Sequence, residues 1–100
     1  MIYNKLIRDQ IPEIIAAKGQ TSKTHIASDE EYWTKLKEKL TEEVAEFTKD
    51  ESIDELADVM EVIAAIQAYK KFDSQAVEAI RVKKREERGG FDKRIILEES

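Results

Sequence analysis

The stretch from Thr41 to Glu61, TEEVAEFTKDESIDELADVME, constrains this chain more than any other part of it. It holds neither glycine nor proline, and apolar residues recur at helical spacing on both sides of the short polar segment Lys49-Asp50-Glu51. That pattern predicts two helices joined by a tight turn. Residues three apart share a helix face, so Glu43 and Glu46 stand together on the first predicted helix, and Glu55 and Asp58 on the second. If the helices lie antiparallel, these carboxylates converge on one small volume. Like charges that close need a divalent cation to coexist.

The remainder of the sequence agrees with an all-α chain. Its three glycines and one proline fall between the long periodic segments rather than inside them. A first helix is predicted to open at Pro12, a residue suited to a first helical turn, and to close at Gly19 beyond Lys18. Residues Gln20 to Ala27 read as a loop or short extended piece. Ser28 or Asp29 caps the next predicted helix, whose stripe of Trp33, Leu36, Leu40, Val44 and Phe47 faces a core. At about 100° per residue Glu43 borders that stripe, Glu46 lies farther round, and Glu42 points away from it, toward solvent or into a supporting position.

The third predicted helix, from about Ile53 to Lys70, is apolar around nearly its whole circumference, as expected of a helix buried on several sides. A fourth is predicted from Ser74 to Arg88, ahead of Gly89-Gly90. Residues Met1 to Asp9, with Ile2, Leu6 and Ile7 apolar, are too few to classify, and the tail Arg94-Ile95-Ile96-Leu97 reads as a short strand or an extended arm packed on the body. The expected architecture is a single domain over residues 1–100, an antiparallel helical bundle of about four helices. A chain of this size can hardly surround its own third helix, so completion of the bundle in a homodimer or homotetramer is expected.

Composition narrows the partners. Twenty-two acids against seventeen bases give a net charge of −5, which disfavours a nucleic acid polymer held on a broad basic surface. The bases Lys83, Lys84, Arg85, Arg88, Lys93 and Arg94 gather near the C-terminus while the acids concentrate in the middle, a division that suits a small anionic ligand carrying its own metal. There is no cysteine, hence no disulfide, thiolate site or Cys nucleophile. No apolar run approaches a membrane span, and MIYNKLIRDQ lacks a signal-peptide core, so a cytoplasmic protein with no membrane partner is expected. The lone His25 falls in the predicted loop without a visible partner and reads as a surface residue.

The acid pairs are compatible with two structural readings as well as with chemistry. Glutamate-rich helix faces are commonly just solvated, and Glu55 stands three residues after Ser52, the spacing of a capping box. Against this, Glu55 and Asp58 sit on a helix that turns apolar, a costly place for unpaired charge. Hard cations such as Mg²⁺ take several oxygen ligands and bridge carboxylates to phosphate oxygens. Trp33 and Phe47 fit the core stripe, with base stacking an alternative for Trp33.

Residue identity adds to this. Glu42-Glu43-Val44-Ala45-Glu46 followed by Glu55-Leu56-Ala57-Asp58 resembles the EExxE…ExxD pattern of the MazG-like all-α nucleoside triphosphate pyrophosphohydrolases. Tyr3-Asn4-Lys5-Leu6-Ile7-Arg8-Asp9 with Ile11-Pro12, and Arg88-Gly89-Gly90-Phe91, are similar to the branch called phosphoribosyl-ATP pyrophosphohydrolase-like. The resemblance departs in the short separation of Glu46 from Glu55 and in Gln10, where the branch often has a basic residue. It implies a helical, oligomeric, Mg²⁺-dependent enzyme cleaving the α-β phosphate bond of a nucleotide to a monophosphate and pyrophosphate. Carried over by position, it implies Glu43, Glu46, Glu55 and Asp58 as metal ligands, with Glu42 as a supporting acid or partner of the attacking water beside Glu43 and Glu46. Lys5, Arg8, Lys84 and Arg88 become the cations for substrate phosphates, each otherwise an ordinary solvated base. House-cleaning nucleotide hydrolysis is the expected function. Phosphoribosyl-ATP hydrolysis in histidine synthesis and a non-catalytic, nucleotide-sensing helical oligomer are the alternatives.

Overall fold

Each long helix begins where the sequence supplies a cap. The computed structural model describes residues 3–100 and contains four helices, α1 (Ile11–Ala17), α2 (Asp29–Lys49), α3 (Ile53–Lys70) and α4 (Ser74–Arg88), with no strand among the described residues. Ser28 accepts a hydrogen bond from the Glu31 amide at 3.2 Å, Ser52 accepts one from the Glu55 amide at 3.2 Å, and Asp73 accepts one from the Gln75 amide. Each satisfies an amide that the first helical turn leaves without a partner. Asp29, Glu30 and Glu31 add negative charge at the positive end of α2. At the other ends, Lys71 takes a left-handed conformation after α3, and Gly89, with φ of 84°, stops α4.

The turn between α2 and α3 is short, Asp50-Glu51-Ser52, and it folds the two helices back on each other. Asp50 donates its amide to the Glu46 carbonyl at 2.9 Å, and Ser52 donates to the Asp50 carbonyl at 2.7 Å. The far end of the pair is closed by aromatic rings. Trp33 of α2 stacks on Tyr69 of α3 with centroids 5.2 Å apart and planes 4° from parallel, while Tyr32 meets Tyr69 edge-on at 5.5 Å. The Tyr69 hydroxyl reaches the Asp29 carbonyl at 3.3 Å. The start of α2 therefore lies beside the end of α3, and the pair is antiparallel.

Between these two ends sits the core. Leu36 on α2 is fully buried and Val62 on α3 nearly so. Burial of a leucine contributes about 1.5–3 kcal/mol relative to exposure. Elsewhere the apolar surface stays open: Val44, Leu56, Met60 and Ile80 are each about half exposed or more. The α2–α3 pair is the one substantial helix–helix interface among the described residues. The radius of gyration, 17.8 Å, exceeds the ~13 Å of a compact chain of this length. The all-apolar third helix is thus covered on one side by α2 and left uncovered on others.

Three expectations need amendment. The tail is neither a strand nor an arm packed on the body, because it has no secondary structure and Ile95, Ile96 and Leu97 are about four-fifths exposed. His25 has a partner after all: its Nε2 lies 2.9 Å from Glu31, a residue which the N-terminal cap of α2 turns back toward the preceding loop. Glu42 is not left in solvent, since the N-terminal segment crosses its side of α2. The apolar Ile2 lies outside the described residues.

The core is small enough for single positions to dominate it. Leu36→Ala is expected to destabilise the fold by about 2–5 kcal/mol, read as a fall in the urea midpoint, whereas Leu97→Ala leaves the midpoint unchanged.

Candidate metal centre

The turn that reverses α2 into α3 also sets the register of their acids. Carboxylate oxygens of Glu43, Glu55 and Asp58 all lie within 4.8 Å of one another, and all three residues are partly buried. Glu43 is the most enclosed, with its side chain 12 % exposed, as its place at the border of the α2 stripe predicts. Three oxygen donors at this separation could hold a hard divalent cation, and no softer ligand stands among them.

The capping reading of Glu55 is settled by its two halves. Ser52 does accept from the Glu55 amide, but the Ser52 amide donates to Asp50 instead of to the Glu55 side chain. The box is half made, and the Glu55 carboxylate stays free for the cluster. Its pKa is raised, first by desolvation and then by the negative charges of Asp58, Glu46, Asp50 and Glu43. Glu46 accordingly stands near enough to act on Glu55 electrostatically, although it is exposed and outside the set of three that converge.

Two cations face the cluster. Arg8 donates from Nη2 to Asp58 Oδ1 at 2.7 Å, joining residues fifty positions apart in the chain. Lys39, one turn before Glu43 on α2, places Nζ 3.2 Å from Glu43 and 3.5 Å from Glu42. A third base, Lys5, reaches Glu42 at 3.2 Å. Burial alone would raise the Glu42 pKa, but the Lys5 hydrogen bond and the Lys39 charge outweigh it and hold the carboxyl below its usual range. Glu42 is therefore ionised and linked to Glu43 through Lys39, in a supporting place rather than among the converging carboxylates.

Arg8, Lys39, Glu43 and Asp58 also line an open cleft of about 480 Å³ between the N-terminal segment, α1 and the α2–α3 pair, whose other walls include Tyr32, Ile14 and Leu36. The cleft is apolar on one side and ionic on the other, and Asp9 and Glu61 add to its acids. Lys84 and Arg88 are not brought here: both are exposed on α4, which lines neither the cleft nor the cluster. Lys39 is the residue that reading the sequence missed. Its signal was present, because a lysine four residues before a glutamate shares its helix face.

No family model matches the chain, and no solved structure matches it. A segment of 42 residues is 55% identical to an uncharacterized protein of Mycolicibacterium smegmatis, covering 42% of this chain and 43% of that relative. The match thus spans less than half the length of that relative.

The raised pKa of Glu55 means that the folded chain holds its proton more tightly than the unfolded chain does. Its contribution to stability is therefore fully present below the ordinary carboxylate range and is lost as pH rises through the raised value. In chelator at pH 7, Glu55→Gln is expected to melt at a higher temperature than the parent, and the difference is expected to vanish near pH 3.5, well into the protonated side of the usual range. A melting temperature lowered by the substitution at pH 7 would contradict the crowding of charge at this position.

Proposed function

We propose that this chain is a Mg²⁺-dependent nucleotide pyrophosphohydrolase of the MazG-like kind, cleaving the α-β phosphate bond to release a nucleoside monophosphate and pyrophosphate. The observation that carries the reading is the convergence of Glu43, Glu55 and Asp58 from two helices beside a cleft that also displays two cations. The resemblance of the flanking sequence blocks to that superfamily supports it.

Glu43, Glu55 and Asp58 would hold the metal, with Glu46 completing their negative surroundings. A divalent cation bound there supplies charge to phosphate oxygens and acidity to the attacking water. The chain's own residues do the rest. Arg8 and Lys39 orient the phosphates, and their charge opposes that which develops on the leaving pyrophosphate. Glu42, fixed by Lys5 and Lys39, holds Lys39 on this side of α2. Tyr32 and Ile14 give the base and sugar an apolar wall. Lys84 and Arg88 could meet the substrate only from another copy of the chain or after movement of α4.

The working unit in this reading is an oligomer, a homodimer or homotetramer. Open apolar positions Val44, Leu56 and Met60 on the central pair, together with the extended dimensions of 55 × 30 × 24 Å, favour it. Sedimentation velocity should give two or four times the chain mass of 11.6 kDa, and Met60→Lys should shift it toward the monomer.

Incubation with a panel of nucleoside triphosphates and phosphoribosyl-ATP should yield pyrophosphate only when Mg²⁺ is present. Glu43→Gln and Asp58→Asn should each lower kcat at least ~100-fold, the loss typical when a stabiliser of transition-state charge is removed. Glu46→Gln should cost less. Full turnover in both of the first two variants would sink the ligand assignment, and nucleotide binding without any product across the panel would favour a sensing role.

A further inference from the structure

The cleft beside the carboxylates carries its positive charge on Arg8 and Lys39, and in this structure neither side chain is directed at an empty phosphate site. Each is engaged with an acid: Arg8 with Asp58 at 2.7 Å and Lys39 with Glu43 at 3.2 Å. Both acids belong to the converging set of three. We propose that Arg8 and Lys39 are exchangeable counter-ions, which neutralise Asp58 and Glu43 in the metal-free protein and turn to the cleft as phosphate ligands once the carboxylates take a divalent cation. The inference rests on the metal-dependent reading of the site and adds to it an order of binding, metal before anion.

Charge gives the reason. The cleft's lining holds four acids, Asp9, Glu43, Asp58 and Glu61, against the two cations, and Glu55 adds a fifth beside them, an excess of negative charge that repels a phosphate. A divalent cation on Glu43, Glu55 and Asp58 would cancel two of these charges and displace Arg8 and Lys39 from their acids, leaving both side chains to meet an anion. Geometry permits the exchange. The Arg8 side chain is 58 % exposed and its Asp58 partner 40 %, so this pair contributes little to folding and has room to turn. Its backbone belongs to a segment without secondary structure, while the half-buried Leu6 and Ile7 beside it keep the segment in place. Lys39 already divides itself between Glu43 and Glu42, so release from Glu43 leaves it a second partner on the same helix face.

The two roles predict effects of opposite sign, which a structural ion pair would not produce. Titration of Mn²⁺ alone into the full chain, followed by calorimetry, should show Arg8→Gln and Lys39→Met binding the metal about three- to tenfold more tightly than the parent, because a competing like charge has been removed. Titration of magnesium pyrophosphate at saturating Mg²⁺ should show the same variants binding it at least about tenfold more weakly, the loss of a charge-assisted hydrogen bond. Lys35→Met, which breaks the remote Lys35–Glu38 pair, should change neither. Unchanged far-UV circular dichroism checks that all variants fold. If Arg8→Gln and Lys39→Met weaken metal binding, or leave pyrophosphate binding intact, the exchange is wrong while the metal site stands. If the parent binds no Mn²⁺, the metal-dependent reading falls and this inference with it.

Discussion

The packing of α2 against α3 is the contact on which everything else in this molecule depends. It encloses Leu36 and Val62, and it is the only extensive helix pair among the described residues. Its two ends are chemically opposite. At one end Trp33, Tyr32 and Tyr69 stack and interlock, and the Lys37 and Lys70 ammonium groups lie over the Trp33 ring. At the other, beyond a turn of three residues, acids from both helices are pressed together. The favourable end and the apolar middle hold the unfavourable end in place. The crowding falls on Glu55, whose carboxyl pKa is raised by desolvation and by the acids around it.

The chain offsets the cost only in part, and it does so with residues drawn from elsewhere. Lys5 and Arg8 come from the N-terminal segment, thirty-seven and fifty positions from their partners Glu42 and Asp58. Lys39 comes from α2 itself. The pairs made by Lys5 and Arg8 are about half exposed and so weak as sources of stability, whereas Lys39 and Glu43 are largely enclosed. A buried, rigid set of counter-ions would have made the acids a fixed structural network, of little use to a ligand. The weak, exposed partner of Asp58 leaves that acid accessible to a stronger cation. Incomplete neutralisation of the cluster is thus compatible with the metal site proposed above.

Much of the scaffold is legible in the sequence, for identifiable reasons. Ser28 and Ser52 announce helix starts because a side-chain oxygen there answers an orphaned amide, and Gly89 announces a stop because it accepts a positive φ. The bounds of α3 and α4 follow from such signals. Of the site, Glu43, Glu55 and Asp58 are legible because spacing of three and the position of the apolar stripe decide which way a helical side chain points. Ionic partners are not. Nothing local in the sequence links Arg8 to Asp58 or Lys5 to Glu42, since those contacts arise only once the N-terminal segment crosses the helix pair. The shortfall of Glu46 has a similar origin, because spacing fixes the face of a helix but not how far a long side chain leans toward a neighbour. The partner of His25 escapes because the loop before α2 folds back on the first turn of the helix it precedes.

Where the chain fails to cover itself is as informative as where it packs. α4 holds Lys83, Lys84, Arg85 and Arg88 on a helix without an extensive partner, and the tail beyond it exposes Ile95, Ile96 and Leu97. The central helix pair meanwhile leaves Val44, Leu56 and Met60 open near a strongly acidic turn. A single copy therefore separates the two features that would satisfy each other, a basic amphipathic helix and an acidic surface with apolar flanks. Within one copy the two do not meet: α4 leaves the aromatic end of the pair after a three-residue connection, Lys71 to Asp73, and makes no extensive contact with α3. The hairpin thus puts the carboxylates at one end and the start of α4 at the other, and in one copy the basic helix and the acidic surface stay apart.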